Sequence, residues 1–109
     1  LNYINNSKNN WDYYPTYTEY TDMMQVFADS FPEICKLHHL GTLNSGREIL
    51  IVQISNNVGQ KENEPSFLYT SSMHGDELAG YILSLRLIDV VCLIGEVWRG
   101  FPFFLAVCF

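Results

Sequence analysis

Basic residues are scarce in this chain. Six Lys and Arg stand against twelve Asp and Glu in 109 residues, a formal net charge of −6. Nucleic-acid binding depends on clustered Lys and Arg that neutralise phosphates. No basic stripe runs through the sequence, which argues against nucleic acid as a partner. Cysteine is also sparse. Cys35, Cys92 and Cys108 are three in number and widely spaced, which excludes a disulfide framework and zinc-finger spacing. Cys35 lies in an alternating apolar stretch and reads as a small buried hydrophobe. There is no internal repeat. The most apolar stretch, residues 90–109, makes a poor bilayer span, because Glu96 and Arg99 sit in its middle and the apolar runs on either side are too short; no membrane span is expected. The chain opens on Leu1 with no charged-then-apolar leader, which leaves a removed signal peptide and a fragment as open alternatives.

What is present suits a folded domain. Hydrophobic residues make up 48% of the chain and charged residues 17%, a globular balance at a length that allows one small core. Residues 1–12 are Asn-rich and read as a polar lead-in. An aromatic patch follows, Trp11 to Tyr17, broken by Pro15; the tyrosine-rich segment Tyr13 to Tyr20 offers a binding platform as one reading, and packing on the core is the expected one. Tyr20, Met23, Met24, Phe27 and Phe31 recur at helical spacing, which predicts a helix from Thr18 to Ser30 with Thr18 as its N-cap. Ile34 to Leu43 and Glu48 to Ser55 read as strands of an antiparallel hairpin, with Gly41 as a bulge or a bend and Asn44-Ser45-Gly46 as the turn. A polar loop, Asn56 to Pro65, leads to a third strand, Ser66 to Ser71, and then to a helix from Asp76 to Asp89. This order is a mixed α/β arrangement. From Val90 the sequence is strongly apolar without a clean helical or alternating period. Phe101-Pro102-Phe103-Phe104-Leu105 would be an exposed apolar patch unless covered.

The chemistry concentrates in Met73-His74-Gly75-Asp76-Glu77, between the third strand and the second helix. An imidazole and a carboxylate three residues apart are natural zinc ligands, and a turn can aim both at one point. A catalytic zinc site uses three protein ligands and an open position; this sequence offers two and no obvious third.

Four features in order carry a resemblance: Tyr14-Pro15-Thr16-Tyr17 before a helix, the hairpin Gly41-Thr42-Leu43-Asn44-Ser45-Gly46-Arg47-Glu48-Ile49, a strand into His74-Gly75-Asp76-Glu77, and the helix after it. Residues 13–89 resemble the N-terminal part of the zinc metallocarboxypeptidases of the carboxypeptidase A and B kind. The resemblance implies a fragment of a three-layer α/β/α domain with a mixed sheet. It implies one zinc ion per complete domain, with His74 and Glu77 as its first two ligands, and removal of the C-terminal residue of a peptide or protein. It also implies an extracellular or periplasmic location. The third ligand, the general base and the substrate-binding arginines of the family fall beyond the matched part, so no catalytic residue is assigned here. Asp76 stands where a typical carboxypeptidase A has a basic residue, which leaves the preferred C-terminal side chain open. The alternative is a non-catalytic relative acting through binding or association.

Other candidates weigh less. His38 and His39 are adjacent on a strand and point to opposite faces, so one at most could reach a given site. Glu96, a conceivable general base, has nothing to position it. Arg47 is expected to pair with a nearby carboxylate. Residues 90–109 depart from the family pattern, and their abrupt change of character suggests a shifted frame, retained intron or truncated gene model.

Overall fold

The computed structural model describes residues 11–97 and 104–108, the last two residues of the first segment and all of the second by backbone alone. The polar lead-in and Phe101 to Phe103 therefore lie outside the described residues, apart from Trp11 and Asp12.

The first helix, α1, runs Tyr17–Ser30. Its N-cap is Thr16 rather than the expected Thr18. Thr16 Oγ1 accepts the Glu19 backbone N–H at 3.2 Å, and Glu19 Oε2 accepts the Thr16 N–H at 2.8 Å. This reciprocal capping box needs a Glu at the third helical position, and Thr16 has Glu19 there. Tyr20, Met24, Phe27 and, just past the helix end, Phe31 turn one face inward.

Strands β1 (Cys35–Thr42) and β2 (Glu48–Ile54) form the expected antiparallel hairpin. The pairing passes from His39↔Leu50 directly to Gly41↔Ile49, so Leu40 is the extra residue of a bulge. The turn places Gly46 at φ +84°, a backbone state that glycine adopts without a Cβ clash. Gly46 N–H donates to the Leu43 carbonyl at 2.9 Å and Leu43 N–H to the Arg47 carbonyl at 2.7 Å. Along β2 every second residue, Leu50, Val52 and Ile54, is buried. That period of two places one sheet face against both helices.

β3 (Ser66–Thr70) leads through the His74 turn to α2 (Leu78–Val97), and β4 (Phe104–Cys108) closes the sheet in the order β1-β2-β4-β3. β4 is antiparallel to β2 and parallel to β3, so the sheet is mixed, as expected. Both helices join one core with Ile34, Cys35, Leu50, Val52 and Ile54. Among the described residues no helix covers the opposite face.

The reading of residues 90–109 needs correction. α2 continues eight residues past Asp89, and the sequence beyond supplies an inner strand. Leu85, Ile88 and Cys92 face the core at helical spacing, while Leu83, Val90 and Ile94 are exposed on the other side. Apolar residues on two faces blur the 3.6-residue period. By length and composition Leu78–Gly95 could cross a membrane; in this fold one face of it is spent in the core.

Asp89 sits beside that buried stripe, and its Oδ1 has no hydrogen-bond partner among the described residues. Burial raises its carboxyl pKa, and Arg86 only partly opposes this. The folded value therefore exceeds the unfolded one. The stabilisation from protonated Asp89 is full below the ordinary carboxylate pKa and is lost as pH rises through the raised value. Thermal denaturation from about pH 4 to pH 7 is expected to show this loss, and Asp89→Asn is expected to flatten it; an unchanged pH profile in the variant would assign the effect elsewhere.

Candidate metal centre

β3 delivers the chain to a sharp turn. Ser72 adopts φ 56°, a left-handed conformation uncommon for a side chain-bearing residue. Such strain costs on the order of 1–3 kcal/mol and persists where surrounding bonds fix it. Here the Ser72 hydroxyl donates to the Glu77 carbonyl at 2.9 Å, and Glu77 N–H donates to the His74 carbonyl at 3.1 Å. The loop closes on itself, and α2 starts at the next residue.

Within it His74 Nδ1 lies 3.1 Å from Glu77 Oε1, with both side chains well exposed, at 66% and 60%. This spacing is that of a hydrogen bond between the two side chains, and it is also compatible with two zinc ligands. Zinc–ligand bonds of 2.0–2.1 Å at a tetrahedral angle separate two ligand atoms by roughly 3.3 Å. One nitrogen and one carboxylate oxygen already stand near that spacing. Glu77 also abuts the start of α2, where the helix dipole favours a carboxylate without any metal. No group of three His, Cys, Asp or Glu residues able to hold a metal occurs among the described residues.

Tyr14, Ser71, Asp76 and Gly80 join Glu77 around an open cleft of about 510 Å³. A Cβ on Gly80 would come within 3.1 Å of the Ser71 Cβ, so this glycine lets α2 approach the end of β3. Ser84 Oγ donates to Ser71 Oγ at 3.2 Å one turn further on. The aromatic patch divides: Tyr20 is buried, whereas Tyr13 and Tyr14 are exposed, and Tyr14 lines this cleft rather than the core. Tyr81 O–H donates to the Pro15 carbonyl at 3.3 Å and tethers the residues just before α1 to α2. Burial, and secondarily the nearby Glu19 charge, push its pKa up to about 12, so it remains a neutral donor.

The other candidates fall elsewhere. His38 Nε2 lies 2.7 Å from Gln53 Oε1 in a half-buried cross-strand pair, and His39 Nε2 lies 3.5 Å from Glu48 Oε2 on the surface. Arg47 stacks its guanidinium 5.3 Å from the centre of the Tyr17 ring, a cation–π contact in place of the expected carboxylate pair. Tyr17 in turn accepts the Glu48 backbone N–H at 2.8 Å. The Glu96 side chain lies outside the described residues. Sequence reasoning missed Ser72, because a left-handed serine has no sequence signature. Tyr14 belongs to the tyrosine-rich segment expected to pack on the core, and lines the cleft instead.

Known proteins resemble this chain in sequence or in fold. Mouse carboxypeptidase D is 42% identical over 70 residues, covering 63% of this chain and 5% of that protein. Carboxypeptidase SOL1 of Arabidopsis thaliana is 33% identical over 79 residues, 72% of this chain and 16% of that protein. The crystal structure of carboxypeptidase A from Helicoverpa armigera superposes with a TM-score of 0.80 at 19% identity, covering 98% of this chain and 28% of that one. The structure of bovine thrombin-activatable fibrinolysis inhibitor, solved with a tick carboxypeptidase inhibitor, gives 0.74 at 11% identity over 89% of this chain and 30% of that one. The chain thus spans a small part of each of these proteins. The zinc carboxypeptidase family model matches residues 20–94, running past Asp89 into the extended α2. With that match over most of its length, the chain belongs to the zinc carboxypeptidase family.

Proposed function

We propose that this chain forms part of a metallocarboxypeptidase domain that removes C-terminal residues from peptides, and that His74 and Glu77 are two of its zinc ligands. The observation that carries the reading is the 3.1 Å approach of His74 Nδ1 to Glu77 Oε1 on a turn braced by Ser72. Zinc held there supplies Lewis acidity toward a peptide carbonyl and toward water. The chain's own residues hold the metal, brace the turn and wall the cleft on the Tyr14 and Asp76 side. Phe67, Leu68 and Tyr69 on β3 are all more than half exposed. They offer an apolar surface on which the rest of a full-length domain would pack. The domain is proposed to work outside the cytosol, in an extracellular or periplasmic setting.

A second reading rests on the two-donor site itself. With two exposed ligands and no third among the described residues, the 109-residue chain on its own is a weak zinc binder without peptidase activity. Calorimetric zinc titration of this chain is expected to show weak one-site binding, and a C-terminal hydrolysis assay with and without zinc no turnover. Zinc-dependent turnover by the chain alone would overturn this second reading. Absence of any zinc binding would overturn the assignment of the ligands.

A further inference from the structure

The sheet closes differently at its two ends. β1 closes one end and carries devices that keep an open strand from pairing, exposed Lys36 and the bulge at Leu40. β3 closes the other, and among the described residues no strand lies beyond it. Ser66-Phe67-Leu68-Tyr69-Thr70 holds no charge and no proline, and its register with β4 runs without a shift. All five residues are exposed, the central Leu68 at 67%. A strand at the end of a sheet turns a row of backbone N–H and C=O groups outward, and that row is a template for another strand.

The side chains select which strand. Read in either direction, β3 runs hydroxyl, aromatic, leucine, aromatic, hydroxyl. Laid antiparallel against a second copy about a two-fold axis at Leu68, the two leucines face each other. Phe67 then faces Tyr69 of the second copy, and Ser66 faces Thr70 of the second copy. Aromatic pairs and Ser–Thr pairs are among the favourable cross-strand neighbours. No like charges meet. The nearest carboxylate, Glu64, comes opposite Ser72 of the second copy in this register, and it already accepts the Ser55 hydroxyl at 3.0 Å. A two-fold interface uses the same patch on both partners, and a strand that is its own complement meets that condition.

We propose that the 109-residue chain associates as a two-fold dimer in which β3 pairs antiparallel with β3 of a second copy, centred on Leu68. The four strands of one copy then run on into the four of the other. The pairing consumes both open β3 edges, so the assembly stops at two. It gives the reading of this chain as a protein that acts through association a specific surface. In a longer protein that packs further chain on β3, that packing and the dimer compete for the same strand.

The test measures mass by sedimentation velocity on the purified 109-residue chain, without zinc or peptide. One strand pair is a small interface, so a reversible shift from monomer to dimer is expected between roughly 1 and 100 μM, with no larger species. Leu68→Lys sets two ammonium groups side by side on the axis and is expected to leave only monomer. Its circular dichroism is expected to match the wild type, since the side chain is exposed. Leu83→Lys, on the exposed face of α2, is expected to dimerise as the wild type does. Cross-linking reads the register. Leu68→Cys is expected to give a dimer linked through residue 68 under mild oxidation, mapped by mass spectrometry. Thr70→Cys is expected to give no link through residue 70, because its two copies stand roughly 13 Å apart in this register, four residues along the strand. A chain that stays monomeric, open-ended growth, a dimer that survives Leu68→Lys or is lost with Leu83→Lys, or a link through residue 70 in place of residue 68 would overturn the proposal. None of these measurements involves metal or substrate, so they can fail without touching the carboxypeptidase reading.

Discussion

Replacing His74 by alanine is expected to abolish zinc binding by this chain, with Glu77→Gln weakening it by more than about tenfold. Losing a residue that merely orients a ligand costs about 10–100-fold in affinity, and losing a ligand costs more. The wild-type site starts from two donors 3.1 Å apart. After His74→Ala one exposed carboxylate remains, no better than any other surface Glu. Glu77→Gln keeps the shape and removes the charge, so it separates charge from geometry. The chain carries its own control. His39 and Glu48 form a second exposed His–carboxylate pair at 3.5 Å, and His39→Ala is expected to leave zinc affinity unchanged. In a full-length protein containing these residues, His74→Ala is expected to reduce peptide hydrolysis below detection, since the acidification of water and the polarisation of the carbonyl both depend on the metal. Zinc affinity that survives His74→Ala and falls with His39→Ala would move the site to the hairpin.

The parts of the fold that were legible in the sequence are those with one buried face. α1, with Tyr20, Met24 and Phe27 on a single stripe, and β2, with Leu50, Val52 and Ile54 alternating inward, show the periods that half-buried elements must have. The hairpin was legible because Gly46 sits where the turn needs positive φ. The parts that were not legible lack such asymmetry. α2 carries apolar residues on both the core side and the exposed side, so its period fades after Asp89. β4 lies between β2 and β3, and an inner strand is written as a continuous apolar run, Phe104-Leu105-Ala106-Val107-Cys108, rather than as an alternation. At the site, the approach of His74 to Glu77 was legible from residue type and spacing. Its bracing by Ser72 was not, because that depends on a backbone angle that many sequences could satisfy.

Phe27→Ala is expected to be among the most damaging single changes to the fold. The ring is 0% exposed and belongs to the cluster that joins α1 to the hairpin and α2. Truncating a buried Phe costs about 3–5 kcal/mol, the lost transfer energy plus the cavity left behind. Small domains hold about 5–15 kcal/mol in total, so the midpoint of thermal unfolding should fall by more than roughly 15 °C or the cooperative transition should vanish. Leu83→Ala makes the informative contrast. At 64% exposed on the outer face of α2, Leu83 is expected to matter by less than about 0.5 kcal/mol in this chain. Comparing both variants here and in a longer protein that contains the same residues would then show what covers that face. A cost for Leu83→Ala that appears only in the longer protein means that further parts of the domain pack on α2 there. An equal and small cost in both means that α2 keeps an apolar surface in the complete protein too.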